Sequence, residues 1–153
     1  MLLLVLSCGS SAPPSGPCPE GMVHVPGATF QAGATTEQVG AAEGWPEPWN
    51  LPRARQERAV EGFCVDVYEY PNDKGREPKV WVGWEDAKAL CEEQGKRLCQ
   101  EDEWVLACAG PEGWLFPYGD TFEAGRCNDE VPVGEAGHVA ESGEFPRCAS
   151  PYG

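Results

Sequence analysis

The sequence predicts a loop-rich α+β domain built from short elements, and three observations carry that expectation. The chain has 153 residues, of which 19 are Gly and 15 are Pro. That load of turn formers interrupts long elements without reaching the composition of a disordered chain. The hydrophobic fraction is 41 % and there are six Trp, enough apolar bulk for a single core. Strand-like patterns fill the first half of the domain and helix-like patterns follow them, which argues against a helical bundle.

The domain is expected to begin near Cys18, and Met22-Val23-His24-Val25 reads as its first strand. Pro26-Gly27 is a turn signal, and Ala28 to Ala32 around Phe30 returns as a second strand. Thr35 to Arg58 mixes Gly, Pro, Trp and charge without periodicity and reads as a long surface loop. Within it, the Trp45 to Trp49 stretch WPEPW suits either stacking on sugars or simple packing of two Trp in a Pro-rich loop. Ala59 to Tyr70 resumes strand character. Phe63, Val65 and Val67 alternate with Cys64, Asp66 and Tyr68, the period of a half-buried strand. Pro71-Asn72-Asp73 ends it.

Trp84 to Gln94 is the clearest helix, with Trp84, Ala87, Leu90, Cys91 and Gln94 on one face. Glu85 and Asp86 in its first turn suit the helix dipole, and Gly95 suits the position just past its end. A second helix is expected from Glu101 to Cys108. Gln100 lies at its start, acidic residues fill its first turn, and Gly110-Pro111 stops it. From Pro111 onward only turn signals and scattered aromatics remain, and no internal repeat is present.

With 11 basic and 25 acidic residues the net charge is −14. Such a chain repels phosphate backbones, so nucleic-acid binding is excluded as a general role. No apolar run approaches the length of a membrane span. Eight Cys are present and none is spaced C-x-x-C, which argues against a zinc ribbon, a thioredoxin-type pair and a c-type haem. The two His, His24 and His138, are too few for a His-rich metal site and read as non-catalytic. Disulfides, and hence export to an oxidising compartment, are the economical reading.

The N-terminus agrees with export. Residues 1–8, MLLLVLSC, read as the end of a secretory signal with a lipobox-like Cys8 as lipidation site, although the charged leading region is absent. Residues 9–17, GSSAPPSGP, read as a Ser/Pro/Gly tether. The expected location is therefore a bacterial cell envelope, lipid-anchored in the periplasm or outer membrane, or secreted.

Seven segments in collinear order resemble the formylglycine-generating enzyme (sulfatase-modifying factor) family. Gly21 to Gly33, GMVHVPGATFQAG, is similar to its opening hairpin. Phe63, Tyr68, Glu69 and Asn72 resemble its F-x-[apolar]-x-x-x-E strand leading to an Asn. Val82 to Ala87, VGWEDA, resembles its helix-opening V-x-W-x-x-A. Gly95 to Cys108, GKRLCQEDEWVLAC, resembles its G-K-R-L-P-T-E-A-E-W-E signature. Phe116 to Asp120, FPYGD, Arg126 to Asn128, RCN, and Ser150 to Gly153, SPYG, resemble three later motifs.

The resemblance implies an α+β fold of the C-type-lectin-like (formylglycine-generating enzyme) type, low in regular structure, with residues 18–153 as its N-terminal part. The family's copper-binding cysteine pair would lie past Gly153, so no catalytic residue is assigned and copper is not expected in this chain. A fold divided in this way leaves core faces open, and the isolated chain is expected to be poorly stable.

In the family, Cys at the places of Cys91 and Cys108 pair with the C-terminal half. Cys99 stands where the family has Pro. Cys64–Cys99 and Cys127–Cys148 are the expected bridges, and Cys18 has no obvious partner. The resemblance also implies calcium at Asn128; Asp129, Glu130 and Glu141 are candidate further oxygen donors, although the family's second ligand segment is not recognisable here. A turn or cap role for Asn128 is the alternative. Three functions are compatible with these readings. The first is an exported, lipid-anchored, non-catalytic binding or structural module, with a protein or glycan partner at the envelope and membrane contact through the anchor only. The second is the N-terminal part of a copper-dependent oxidase acting on a sulfatase Cys. The third is a lectin-like module binding carbohydrate or protein.

Overall fold

The computed structural model describes residues 17–35, 55–129 and 138–153, together with the backbone of Ser7–Cys8. Residues 9–16 of the expected tether and the WPEPW stretch lie outside the described residues. Among those described, the elements are β1 (Ser7–Cys8), β2 (Met22–Val25), β3 (Ala28–Ala32), β4 (Gln56–Val60), β5 (Phe63–Asp66), α1 (Trp84–Glu93), β6 (Arg97–Leu98) and α2 (Glu101–Ala109). The result is a small mixed structure of short strands and two helices, with no closed barrel among the described residues. No helix there is long and apolar enough to cross a membrane.

Four strands form an antiparallel sheet in the order β2-β5-β1-β6. β3 and β4 form a separate ribbon, in register from Ala28↔Val60 to Ala32↔Gln56. Pro26-Gly27 sends the chain from sheet to ribbon, and Glu61-Gly62 brings it back. A Cβ on Gly27 would lie 2.7 Å from the Gly62 nitrogen and 2.9 Å from the Val60 carbonyl oxygen. Only glycine lets these two turns touch.

Four sequence expectations change here. The expected loop over 35–58 ends earlier, because Gln56–Arg58 already belong to β4. The expected strand over 59–70 is two strands that serve different sheets. β5 is buried at all four positions rather than on alternate ones, since Phe63 and Val65 enter the core on one face while Cys18 covers Cys64 and Lys96 covers Asp66 on the other. The two-residue strands β1 and β6 carry no sequence signal, and β1 places Ser7–Cys8, read as the end of a leader, between β5 and β6.

Val25, Phe30, Phe63, Val65 and Leu106 form the main core, where the sheet, the ribbon and α2 meet. Val82, Ala87 and Cys91 form a second cluster under α1, with Tyr70, Leu90 and Leu98 packed on it. Trp84, expected on the inner face of α1, is 60 % exposed. The inner face is instead Ala87 and Cys91, residues small enough to approach the sheet closely. Trp81 just upstream is 82 % exposed and holds φ = 60°, a strained backbone for a bulky residue.

Candidate functional site

The end of α1 sets up the polar framework. Gly95, at φ = 70°, lets the helix close with Lys96 N donating to Cys91 O at 2.9 Å and Gly95 N to Glu92 O at 2.9 Å. This is the Schellman arrangement that a glycine past the helix end permits. It turns Lys96 back toward the sheet, where Nζ reaches Asp66 Oδ1 at 2.7 Å. The next residue, Arg97, forks onto Glu103 with contacts of 2.7 and 2.6 Å. Glu103 Oε2 also accepts the Gln100 amide at 2.8 Å, which caps α2.

Burial pushes the Glu103 carboxyl up, but the Arg97 hydrogen bonds, the Gln100 amide and the Arg97 charge outweigh it and hold the group below its usual 4.5. The same contact raises Arg97. The GKRLCQEDEW segment is thus an architectural lock. It ties strand, helix end and helix start together through its own charges.

Asn72 performs a second tie. It sits at φ = 68°, after the cis Tyr70–Pro71 bond. Its Oδ1 accepts the Tyr68 amide at 2.9 Å, and its Nδ2 donates to Gly21 O at 2.8 Å and Asp66 Oδ1 at 3.1 Å. Asp66, fully enclosed at its side chain, therefore has both its donors on one oxygen. Its Oδ2 is buried and accepts nothing.

Beside this framework lies an open cleft of about 570 Å³, within the size range of ligand sites. The sheet side supplies Val65, Asp66, Val67 and Glu69; α2 supplies Trp104 and Cys108; residues within 138–153 form the facing wall, with Lys74, Pro78, Val80, Pro117 and Asn128 at its margins. That wall is held to the 73–76 loop by backbone bonds of 2.8 Å from Gly75 N to Ser142 O and 2.9 Å from Ser142 N to Arg76 O. Trp104 and Cys108, one turn apart, also line a second cleft of about 280 Å³. They form the ridge between the two. Trp104 is 43 % exposed. Leu106 and Glu103 take the buried face instead, because the Arg97 fork pulls Glu103 inward.

The cysteines divide into bridged residues and thiols. Cys127–Cys148 is present as expected. The expected Cys64–Cys99 bridge is corrected: Cys64 bonds Cys18, with Cα atoms 5.7 Å apart. Cys64 pairs across β2–β5 with His24, which brings the chain just before β2 alongside it. Cys99 is itself disulfide-bonded. Cys91 is a buried thiol and Cys108 a half-buried one. Burial pushes the Cys108 thiol up, so it stays protonated and is a weak nucleophile.

The remaining expected site residues are dispersed. Asn128 Nδ2 donates to His138 O at 3.0 Å, and Asp129 Oδ1 accepts the Gly125 amide at 3.1 Å. The first contact ties residues ten apart in sequence, and the second ties residues four apart. Glu130 lies outside the described residues, as does the side chain of Cys8. His24 is exposed on β2, and His138 Nε2 is 3.8 Å from Glu144 Oε1. Among the described residues no three His, Cys, Asp or Glu side chains gather as a metal site. The copper chemistry implied by the resemblance needs two close thiolates. Cys91 and Cys108 do not fit it, since Cys91 sits in the cluster under α1 and Cys108 on the cleft ridge.

A family model, the sulfatase-modifying factor enzyme 1-like domain, matches residues 59–142. That is more than half of the chain. The chain belongs to the sulfatase-modifying factor family. Its match includes both the charge lock and the Asn72 tie. Inactive C-alpha-formylglycine-generating enzyme 2 of Bos taurus is 37 % identical over 78 residues, covering 48 % of this chain and 26 % of its own. Formylglycine-generating enzyme of Bos taurus is 34 % identical over 112 residues, covering 68 % of this chain and 29 % of its own. The Streptomyces coelicolor formylglycine-generating enzyme is 34 % identical over 119 residues, 71 % of this chain and 36 % of its own. The chain thus spans between about a quarter and about a third of the length of these relatives.

Sequence reasoning missed Asp66 and Trp104 as cleft residues. The only available hint was a carboxylate on an otherwise apolar strand, which is costly unless paired.

Proposed function

We propose that this domain is an exported, non-catalytic module of the sulfatase-modifying factor family, with a C-type-lectin-like fold, that recognises a polypeptide through the cleft beside α2. The observation that carries the reading is the character of the ridge: an exposed Trp104 beside a half-buried Cys108, lining a cleft on either side. Large aromatics lining apolar clefts are typical of binding centres. The similarity to an inactive formylglycine-generating enzyme supports the same reading. The disulfides support an oxidising location. Lipid anchoring at Cys8 requires cleavage before that residue and the loss of Ser7, which pairs with Leu98 in β1; intact mass of the envelope-extracted protein tests whether it occurs. A glycan partner is tested by a glycan array with and without calcium, and calcium at Asn128 by calorimetric titration.

The experiment for the main reading is a peptide array probed with the intact oxidised chain. Binding that Trp104→Ala removes and Trp84→Ala leaves supports it; equal loss in both variants overturns it. A second reading, a formylglycine-generating oxidase of which this is one part, is favoured by the longer matches to active enzymes. Aerobic incubation with copper and a cysteine-containing sulfatase peptide, read by mass for thiol-to-aldehyde conversion, separates the two. Conversion by this chain would overturn the non-catalytic reading.

A further inference from the structure

The cleft wall carries chemistry as well as shape, and with the binding role proposed for it that chemistry selects an occupant. Resting on that role, we infer that the partner is a basic, apolar polypeptide segment, one that alternates aliphatic side chains with Arg or Lys.

Three observations on the wall converge. Its apolar part is exposed where a folded chain ordinarily covers such groups: Val67 is 38 % and Trp104 43 % exposed, and both face the same cleft as Val65 and Phe145. An aliphatic side chain laid between them is removed from water on both sides. Its charged part is acidic. Glu69 and Glu141 line it against a single lysine, Lys74, and the imidazole of His138. Lys74 is partly committed, its stem lying over Gly143, where a Cβ would come within 3.2 Å of Lys74 Cγ. Its polar part is incomplete. Asp66 Oδ2 and Ser142 Oγ both belong to residues of this wall, both are buried, and both lack a hydrogen-bond partner.

Leaving such groups unmet is costly, because each gave up its water on burial. Lys96 and Asn72 converge on Asp66 Oδ1 and leave the second carboxylate oxygen enclosed and unmet. The charged group of a docked segment therefore meets the half-buried Glu69 and the exposed Glu141 of the same wall.

Charge selects among occupants. A second copy would bring its own −14 to the contact, and two such chains repel. An acidic segment would meet Glu69 and Glu141 with like sign. A basic segment is drawn by the whole-chain field and then by the local carboxylates.

The test uses three acetylated and amidated octapeptides with the intact oxidised chain in calorimetry: alternating leucine and arginine, alternating leucine and glutamate, and alternating serine and arginine. The leucine–arginine peptide is expected to bind. Glu69→Gln with Glu141→Gln weakens it about fivefold, and Trp104→Ala about thirtyfold. Trp84→Ala, on α1 away from the cleft, leaves it unchanged. Near-UV dichroism checks that each variant is folded.

If the leucine–glutamate peptide binds equally well and still depends on Trp104, the basic partner is overturned while the docking role stands. If the serine–arginine peptide matches the leucine–arginine one, adhesion is by net charge alone and the apolar half is overturned. If no peptide binds, or Trp104→Ala changes nothing, both this inference and the docking role fall.

Discussion

Two regions of the molecule are held by different means. Up to α2, order comes from burial: every buried hydrophobic side chain among the described residues lies at or before Leu106. After Gly110 the chain has turns and no described strand or helix, and it is held by discrete links. Cys127–Cys148 is one. Arg126 supplies three more: its guanidinium lies 4.1 Å over the Tyr118 ring, Nε donates to Arg147 O at 2.9 Å, and Nη1 meets Glu123 at 2.6 Å. Phe116 stacks on Tyr118 at 5.5 Å. The contrast teaches that one chain combines a cooperative core with a wall stapled onto it, and the cleft lies where the two meet.

Changes to the body should be global, and changes to the wall should be local. Replacing Cys18 and Cys64 by Ser opens a bridge spanning 46 residues and is expected to cost about 4 kcal/mol by chain entropy, read as a single shifted urea transition. Leu106→Ala empties a fully buried site and is expected to cost about 3.5 kcal/mol, again in one transition. Replacing Cys127 and Cys148 releases a bridge spanning 21 residues, worth about 3 kcal/mol if the whole chain unfolds together. The expected outcome differs: amide exchange accelerates over residues 139–149 while β5 stays protected. Equal loss of protection in both regions would break the comparison.

The fourth test concerns pH. Glu103 titrates lower in the folded chain than in the unfolded one. Its stabilising contribution is therefore complete above the unfolded value and is lost as pH falls through the folded one. Glu103→Gln is expected to reduce stability by about 2 kcal/mol at neutral pH and to flatten the decline below the usual 4.5; an unchanged acid slope would show that the lock is not the acid-sensitive element. The smallest effect runs the other way. Trp81→Asn keeps the left-handed backbone that Asn tolerates and removes an exposed indole. A gain of about 1 kcal/mol in urea denaturation is expected, and a loss would mean that Trp81 is held by contacts in the body.

Both helices were legible in the sequence to within a residue, because their signals are local. Gly95 closes α1, and Gln100 with Glu103 opens α2. Strands β2 and β3 were legible for the same reason, a turn signal at Pro26-Gly27 between two apolar runs. The inner face of α1 was legible too, since Ala87, Leu90 and Cys91 turn inward as the periodicity placed them, but Trp84 in the same stripe stays exposed. Periodicity identifies a stripe but cannot weigh an indole against the close approach and the Arg97–Glu103 fork that tertiary contacts impose. The family was legible from seven short motifs, while the cleft was not, since its walls come from segments up to about 130 residues apart in sequence (Val23 to Gly153).

Composition and local order in the sequence determined the class of fold, the acidic surface, the oxidising setting and the family. Tertiary structure alone decided that Cys18 rather than Cys99 reaches Cys64, that Asp66 is buried with one oxygen unmet, and that Trp104 stands on a ridge between two clefts. The reason is physical. Propensity, capping and turn chemistry act over a few residues and can be read from the string, whereas disulfide choice and cleft shape depend on which distant surfaces meet, and that is fixed only when the whole core packs.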